Sequence, residues 1–282
     1  MIRICLILIY SLSLYGNHFN IGYGSEAMDQ YSKKDTMIAM EIWIKEIMQN
    51  SEDTIHFHYF DDSQKMADAI KLKKIDLVIT YGLDFVKYFK KSDLDDAFTG
   101  GMSDRELEYL MLVTHKSSSK EKFLALRNPR IAVQVSEEIS KLYAEYYFLK
   151  HKGKKNITFL NVIKRQEGLL KVFFKNADAA LVTQKTLNFA KELNPQMGQN
   201  IIILEKTNIP AGSFGFFRKG IDLQSRRQLI DMALNVPSTN RGRQVLDIFQ
   251  TGTVVETHLE ELIPIEKFYN EYKILKNKKV NK

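Results

Sequence analysis

A helix-then-strand pattern, used twice, constrains this chain more than any single motif. In Lys65-Met66-Ala67-Asp68-Ala69-Ile70 the apolar residues share one helical face. After a short polar bridge, Ile75-Asp76-Leu77-Val78-Ile79-Thr80-Tyr81-Gly82 reads as a buried strand that opens with Asp and ends in polar and small residues. The pattern returns as Gly168-Leu169-Leu170-Lys171-Val172-Phe173-Phe174 followed by Ala177-Asp178-Ala179-Ala180-Leu181-Val182-Thr183-Gln184. An α/β unit used twice predicts two similar lobes. Open α/β sheets place ligands at the carboxyl ends of their strands, so the expected site lies between the lobes.

Around these units the chain alternates strands with single helices. Strands are expected over 18–24, 54–60 and from 75 in the first half, with a helix over 36–49 between the first two and Asp35 as its cap. In the second half they are expected over 130–135, 157–162, from 178 and over 200–204. Single helices between strands predict an α/β fold with a mainly parallel sheet in each lobe. Two further extended segments, 106–114 and 213–217, are the candidates for paired strands crossing between lobes.

The N-terminus carries Arg3, a short apolar run from Ile4 to Tyr10, and then Ser11-Leu12-Ser13-Leu14-Tyr15-Gly16. A cation, a brief apolar stretch and small residues describe a secretory leader, and the run is too short for a transmembrane span. Cys5 is the only cysteine and would leave with that leader, which excludes disulfides, thiolate catalysis and Cys-held metal from the mature chain. The expected organisation is a signal peptide over 1–16, a first lobe over 17–114 completed by 215–282, and a second lobe over 115–214. The net charge of +7 comes mostly from scattered lysines. The Lys-rich stretch over 273–282 reads as a solvated terminus rather than a lipid or nucleic-acid contact, and no nucleic-acid module is recognisable.

The order of Phe19-Asn20-Ile21-Gly22-Tyr23-Gly24, the two helix–strand units, Ile209-Pro210, Arg241-Gly242-Arg243 and Val245-Leu246-Asp247-Ile248-Phe249 resembles the phosphate/phosphonate-type substrate-binding proteins of ABC importers. That resemblance implies a two-lobed type II periplasmic binding protein fold. It also implies a periplasmic, monomeric receptor that closes on a small anionic ligand, phosphonate-like or a carboxylate, and presents it to a membrane permease. Two alternatives accompany it. One is a periplasmic sensor subunit serving a membrane histidine kinase or cyclase. The other is an enzyme on the same fold, of the menaquinone-pathway lyase type, which the leader argues against. The family holds its oxyanion at a Ser/Thr-rich turn, where this chain has Gln134-Val135-Ser136-Glu137-Glu138. It often has a His at a helix start where this chain has Arg165.

The strand ends nominate Tyr23, Gly24, Tyr59, Thr80 and Tyr81 from the first lobe, and Gln134, Ser136, Arg165, Thr183 and Gln184 from the second. Hydroxyls would donate to ligand oxygens and aromatic rings would exclude water. Arg165 would grip the anion by two parallel hydrogen bonds, unless Glu137, Glu138 or Glu167 pairs with it and leaves an uncharged pocket. His56 and His58 alternate on a strand without a third metal ligand. Tyr146 and Tyr147 sit mid-helix as core residues. Asp76 and Asp178 orient strand starts away from the ligand face. No nucleophile elbow or phosphate loop is present, so no catalysis, cofactor or metal is expected.

Overall fold

The computed structural model describes residues 18–24, 33–48, 54–101, 107–153, 155–248 and 251–278. The expected leader and Cys5 lie outside them. The first unit comprises β1 (His18–Gly24), α1 (Lys33–Ile47), β2 (Thr54–Phe60), α2 (Ser63–Lys71) and β3 (Leu77–Tyr81). The second comprises β6 (Arg130–Gln134), α5 (Glu138–His151), β7 (Thr158–Val162), α6 (Arg165–Phe173) and β8 (Ala179–Thr183). In each unit the first strand lies in the middle and pairs in parallel with the other two.

The recurring Asp has the same task in both units. The Asp76 amide donates to the Asn20 carbonyl at 2.7 Å, and its Oδ2 accepts the Asn20 amide at 3.0 Å. The Asp178 amide donates to the Arg130 carbonyl at 2.8 Å, and its Oδ2 accepts the Arg130 amide at 2.7 Å. A guanidinium completes each clasp: Arg218 Nη2 lies 3.0 Å from Asp76 Oδ1, and Arg130 Nη2 lies 3.0 Å from Asp178 Oδ1. The preceding helices also end alike. Lys73 and Lys175 adopt left-handed φ values of 57° and 60°. Their amides reach back to Ile70 and Val172, while those of Lys74 and Asn176 reach Ala69 and Lys171. That is a helix stop most often built on glycine.

The other strands overturn the expectation of a mainly parallel sheet in each lobe. β10 (Ser213–Arg218) runs antiparallel to both β3 and β4 (Leu94–Gly101), and β11 (Thr253–Thr257) runs antiparallel to β4. In the second sheet β5 (Tyr109–His115) runs antiparallel to β8 and to β9 (Ile201–Pro210). The sheets are therefore mixed, ordered β11-β4-β10-β3-β1-β2 and β7-β6-β8-β5-β9. The physical reason is connectivity. A crossover helix forces neighbouring strands parallel, whereas a strand arriving from the other lobe is under no such constraint.

The crossing segments are corrected as well. Residues expected to cross are strands of one sheet each, β5 in the second and β10 in the first. Just before β5 and β10, the Ala211 amide donates to the Glu108 carbonyl at 2.7 Å. Phe214, Phe216 and Phe217 of β10 are all buried, because β10 lies inside its sheet with both faces covered.

Helices cover both faces of the second sheet. On one side α6, α7 (Gln184–Leu193) and α8 (Pro195–Asn200) bury Leu169, Val172, Leu187, Ala190 and Met197. On the other side α5 buries Tyr143, Tyr146 and Tyr147, the core role expected of the tyrosine pair. The C-terminal helix α11 (Ile263–Asn277) joins that layer with Ile265, Phe268 and Tyr272. It packs on α3 (Gly82–Tyr88) as well as on α5 and β9, so it touches elements of both sheets. Tyr146 donates to Glu271 and Tyr272 donates to Glu145, each at 2.6 Å. His56 and His58 are exposed on β2, and no group of three metal-ligating side chains occurs among the described residues.

Two predictions follow from the repeated unit. Asp76→Ala and Asp178→Ala should each lower unfolding free energy by about 2–3 kcal/mol in urea titrations, since each removes charge-assisted bonds to a strand start. Lys73→Gly and Lys175→Gly should each raise it by about 0.5–1 kcal/mol, because glycine relieves the left-handed backbone.

Candidate functional site

The carboxyl end of β3 and the start of α3 meet the residues that follow β6. Tyr81, the last residue of β3, donates its hydroxyl to Ser136 Oγ at 3.2 Å across the two lobes. Lys87, on α3 immediately after that strand, donates to Glu138 Oε2 at 2.7 Å. Two consecutive turns of the first lobe thus contact residues 136 and 138 of the second. Between them, Glu137 turns back into its own lobe.

Glu137 is the N-cap of α5, and its side chain is 1% exposed. Its Oε1 is ion-paired with Arg165 Nη2, and its Oε2 accepts from Ser140 Oγ at 3.1 Å. Of the partners left open for Arg165, the geometry supplies Glu137, while Glu138 is engaged by Lys87. Arg165 is the first residue of α6, its side chain is 18% exposed, and its Nε is buried with no hydrogen-bond partner among the described residues. The guanidinium is therefore held from one side and keeps a donor unused.

The remaining nominated residues divide by what they touch. Tyr23 lies beside Tyr59 in the β1–β2 register. Burial pushes the Tyr23 hydroxyl well above its ordinary pKa, with the nearby Tyr81 and Tyr59 adding to the shift. Tyr23 itself is buried in the core cluster with Phe19 and Ile21. Gly24 is required by Thr80, since a Cβ there would lie 2.6 Å from Thr80 Oγ1. Thr80 is fully buried and donates to Asp84 Oδ2 at 2.9 Å, so it anchors the start of α3. Thr183 caps α7 through the Thr186 amide, and Gln184 Nε2 donates to Asn188 at 2.7 Å. Gln134 is buried at the end of β6. The structure thus brings Tyr81 to Ser136 and pairs Arg165 with Glu137, while Thr80, Thr183 and Gln184 serve local helix starts. Lys87, Glu138 and Asp84 were not nominated. The signal for them was the absence of any loop between β3 and α3, which puts the first turns of that helix at the strand ends.

An open depression of about 760 Å3 runs along one face of α9 (Leu223–Asn235), lined by Leu223, Arg227, Asp231 and Met232. None of the nominated residues borders it. Its lining comes from a single helix and brings no convergent polar groups from elsewhere, so the lobe junction remains the better-built site.

Comparison with known proteins decides the family. Residues 27–262 match the profile described as ABC transporter, phosphonate, periplasmic substrate-binding protein. This chain belongs to that family. It is an extracytoplasmic solute-binding receptor, and the family identity sets the lyase alternative aside. Among solved structures, the binding-protein component of an ABC phosphonate transporter from Pseudomonas aeruginosa aligns with 15% identity over 93% of this chain and 88% of that one, at a TM-score of 0.60. PhnD1 from Prochlorococcus marinus, in complex with methylphosphonate, aligns with 15% identity over 91% and 98%, at 0.59. A Xanthomonas citri protein bound to ATP aligns with 12% identity over 93% and 99%, at 0.60. At these identities the likeness is one of fold. No curated protein matches the chain by sequence.

Asp84 gives the junction a measurable pH signature. Burial raises its carboxyl above the ordinary value, partly opposed by the Thr80 hydrogen bond and by Lys87, with Glu138 adding to the rise. The folded protein then keeps this proton at pH values where the unfolded chain has lost it. Stability from this group therefore falls as pH rises from the ordinary carboxylate value through the raised one. Asp84→Asn should flatten that part of the profile and leave the protein more stable at neutral pH, as read by thermal unfolding between pH 4 and 8.

Proposed function

We propose that this receptor closes its two lobes on a small solute bearing an oxyanion and presents the closed form to the membrane permease of an ABC importer. The carrying observation is the junction itself: Tyr81 meets Ser136 directly, and the next residue, Glu137, holds an arginine whose Nε has no partner among the described residues. Hydroxyl donors with a guanidinium edge suit an oxyanion better than a cation. The methylphosphonate in the Prochlorococcus relative supports the same ligand class. In this reading Tyr23, Tyr59 and Tyr81 wall the ligand from one lobe, and Gln134, Ser136 and Arg165 hold it from the other. Gly24, Thr80, Thr183 and Gln184 shape the strand ends behind them.

The lobes are assigned as residues 17–114 with 215–282, and residues 115–214. Export through a leader over residues 1–16 places the mature protein in the periplasm. Binding is reversible, and lobe closure falls on the microsecond-to-millisecond scale of hinge motions.

Methylphosphonate or phosphate should raise the melting temperature of the mature protein progressively with concentration, reaching about 2.7 kcal/mol of added stability at a hundredfold excess over Kd. Tyr81→Phe and Ser136→Ala should each weaken that binding about tenfold, the worth of a hydrogen bond to a charged group. Stabilisation by amines or neutral solutes alone would remove the oxyanion from this reading.

A further inference from the structure

We propose that the end of the second lobe opposite the junction is a docking surface for an anionic lipid membrane. It is built from the turns at the amino ends of β6, β7 and β8, where cations without acidic partners surround exposed apolar side chains. This inference does not depend on which solute the junction holds.

The turns after β5 and before β6, β7 and β8 meet at this end and bond to one another. The Lys116 amide donates to the Asn200 carbonyl at 2.8 Å, and the Thr158 amide donates to Pro129 at 2.9 Å. Arg130 Nη2 donates to the Lys175 carbonyl at 3.1 Å. The short helix α4 (Lys120–Ala125) packs here against α5, with the Phe123 and Phe148 rings 5.1 Å apart. Each turn brings a cation to this one surface. Lys116 and Lys120 flank the turn after β5, and Arg127 precedes β6. Lys152 and Lys155 follow α5, and Lys175 follows α6. All of these but Lys155 are exposed.

The acids nearby are few. Asp178 is held by Arg130 at 3.0 Å, Glu121 lies in the first turn of α4, and Glu192 stands beside Lys191 in α7. Lys116, Lys152 and Lys175 have no ion pair among the described residues. The same end of the first lobe is built differently, because Arg218 pairs there with Asp76, and Lys219 and Arg226 both pair with Asp95. Helix C-termini attract cations, which accounts for Lys152 and Lys175. That effect does not account for Lys116, which follows a strand, or for Lys120, which opens a helix at its positive end. The crowding is felt locally: desolvation holds the His115 imidazole below its ordinary pKa, and Lys175 and Lys116 add to the shift.

Two apolar side chains project from this basic surface. Phe174, beside Lys175, is 63% exposed, and Leu193, at the end of the neighbouring α7, is 72% exposed. A basic rim with apolar tips suits the interface of a membrane, where headgroups meet the cations and the tips enter the acyl boundary. An extracytoplasmic receptor also meets lipid headgroups rather than nucleic acid. Docked in this way, the chain would lie on the bilayer with the junction, at the opposite strand ends, turned toward arriving solute.

The test is flotation of the mature protein with vesicles of equimolar phosphatidylglycerol and phosphatidylcholine, against vesicles of phosphatidylcholine alone. The protein should float with the anionic vesicles only, and should release them when salt shortens the screening length from about 10 Å to about 3 Å. Lys116→Gln with Lys175→Gln should weaken binding about twentyfold, near fivefold for each charge removed. Phe174→Ser should weaken it about tenfold. These side chains are exposed, so melting temperatures should stay within about 2 °C of the wild type. Lys279→Gln with Lys282→Gln removes the same charge from the C-terminal tail and should change binding little. Equal binding to both vesicles, or none to either, overturns the inference. Loss of binding in the tail variant with none in the lobe variant moves the contact to the tail and overturns it as well. Tighter binding to a DNA duplex than to the anionic vesicles would replace the lipid by a nucleic acid and also overturn it.

Discussion

Two aspartates at the starts of two strands hold the architecture in register. Parallel strands have no hairpin to align them, and a one-residue slip would turn every buried side chain outward. Asp76 and Asp178 each fix that register by exchanging bonds with the residue opposite, through both the backbone amide and the carboxylate. An arginine then anchors each carboxylate from outside, Arg218 in one lobe and Arg130 in the other. With the amino ends locked, the carboxyl ends are placed within a narrow tolerance. Those are the ends from which Tyr81 and Ser136 reach the junction.

The mixed sheets follow from how the lobes share chain. Each contains a parallel triplet made by its own βαβαβ unit, extended by antiparallel strands on one side. The strand beside the triplet, β10 in one sheet and β5 in the other, is the one that arrives from across the junction. Just before these two strands Ala211 bonds to Glu108, and α11 packs on α3 as well as on α5 and β9. Short paired connections of this kind are where a hinge can absorb backbone rotation.

The electrostatics of the junction separate gripping from screening. Tyr81 and Ser136 supply neutral donors, whereas Arg165 and Lys87 are each matched by a glutamate of α5. A buried charge with its partner removed is costly, so the Glu137–Arg165 pair spares the junction an uncompensated charge. Arg165 is left with a buried Nε that has no partner among the described residues.

Sequence by itself determined the repeated helix–strand unit, the strand starts at the two aspartates and most helices, because period, caps and polar strand ends are local signals. The buried faces around Met66 and Leu169 were legible in this way. The nominated residues at strand ends were legible as positions but not as roles. Thr80, Thr183 and Gln184 look like ligand donors in a linear reading, yet each is engaged within its own helix start. Only the tertiary structure decided that Glu137 rather than Glu138 faces Arg165, and that Lys87 crosses to Glu138. It also decided the direction of the strands beyond the parallel triplet of each sheet. The physical reason is common to all three: they depend on contacts between residues far apart in the chain, whose geometry is set by how two lobes meet and not by the spacing of residues within either one.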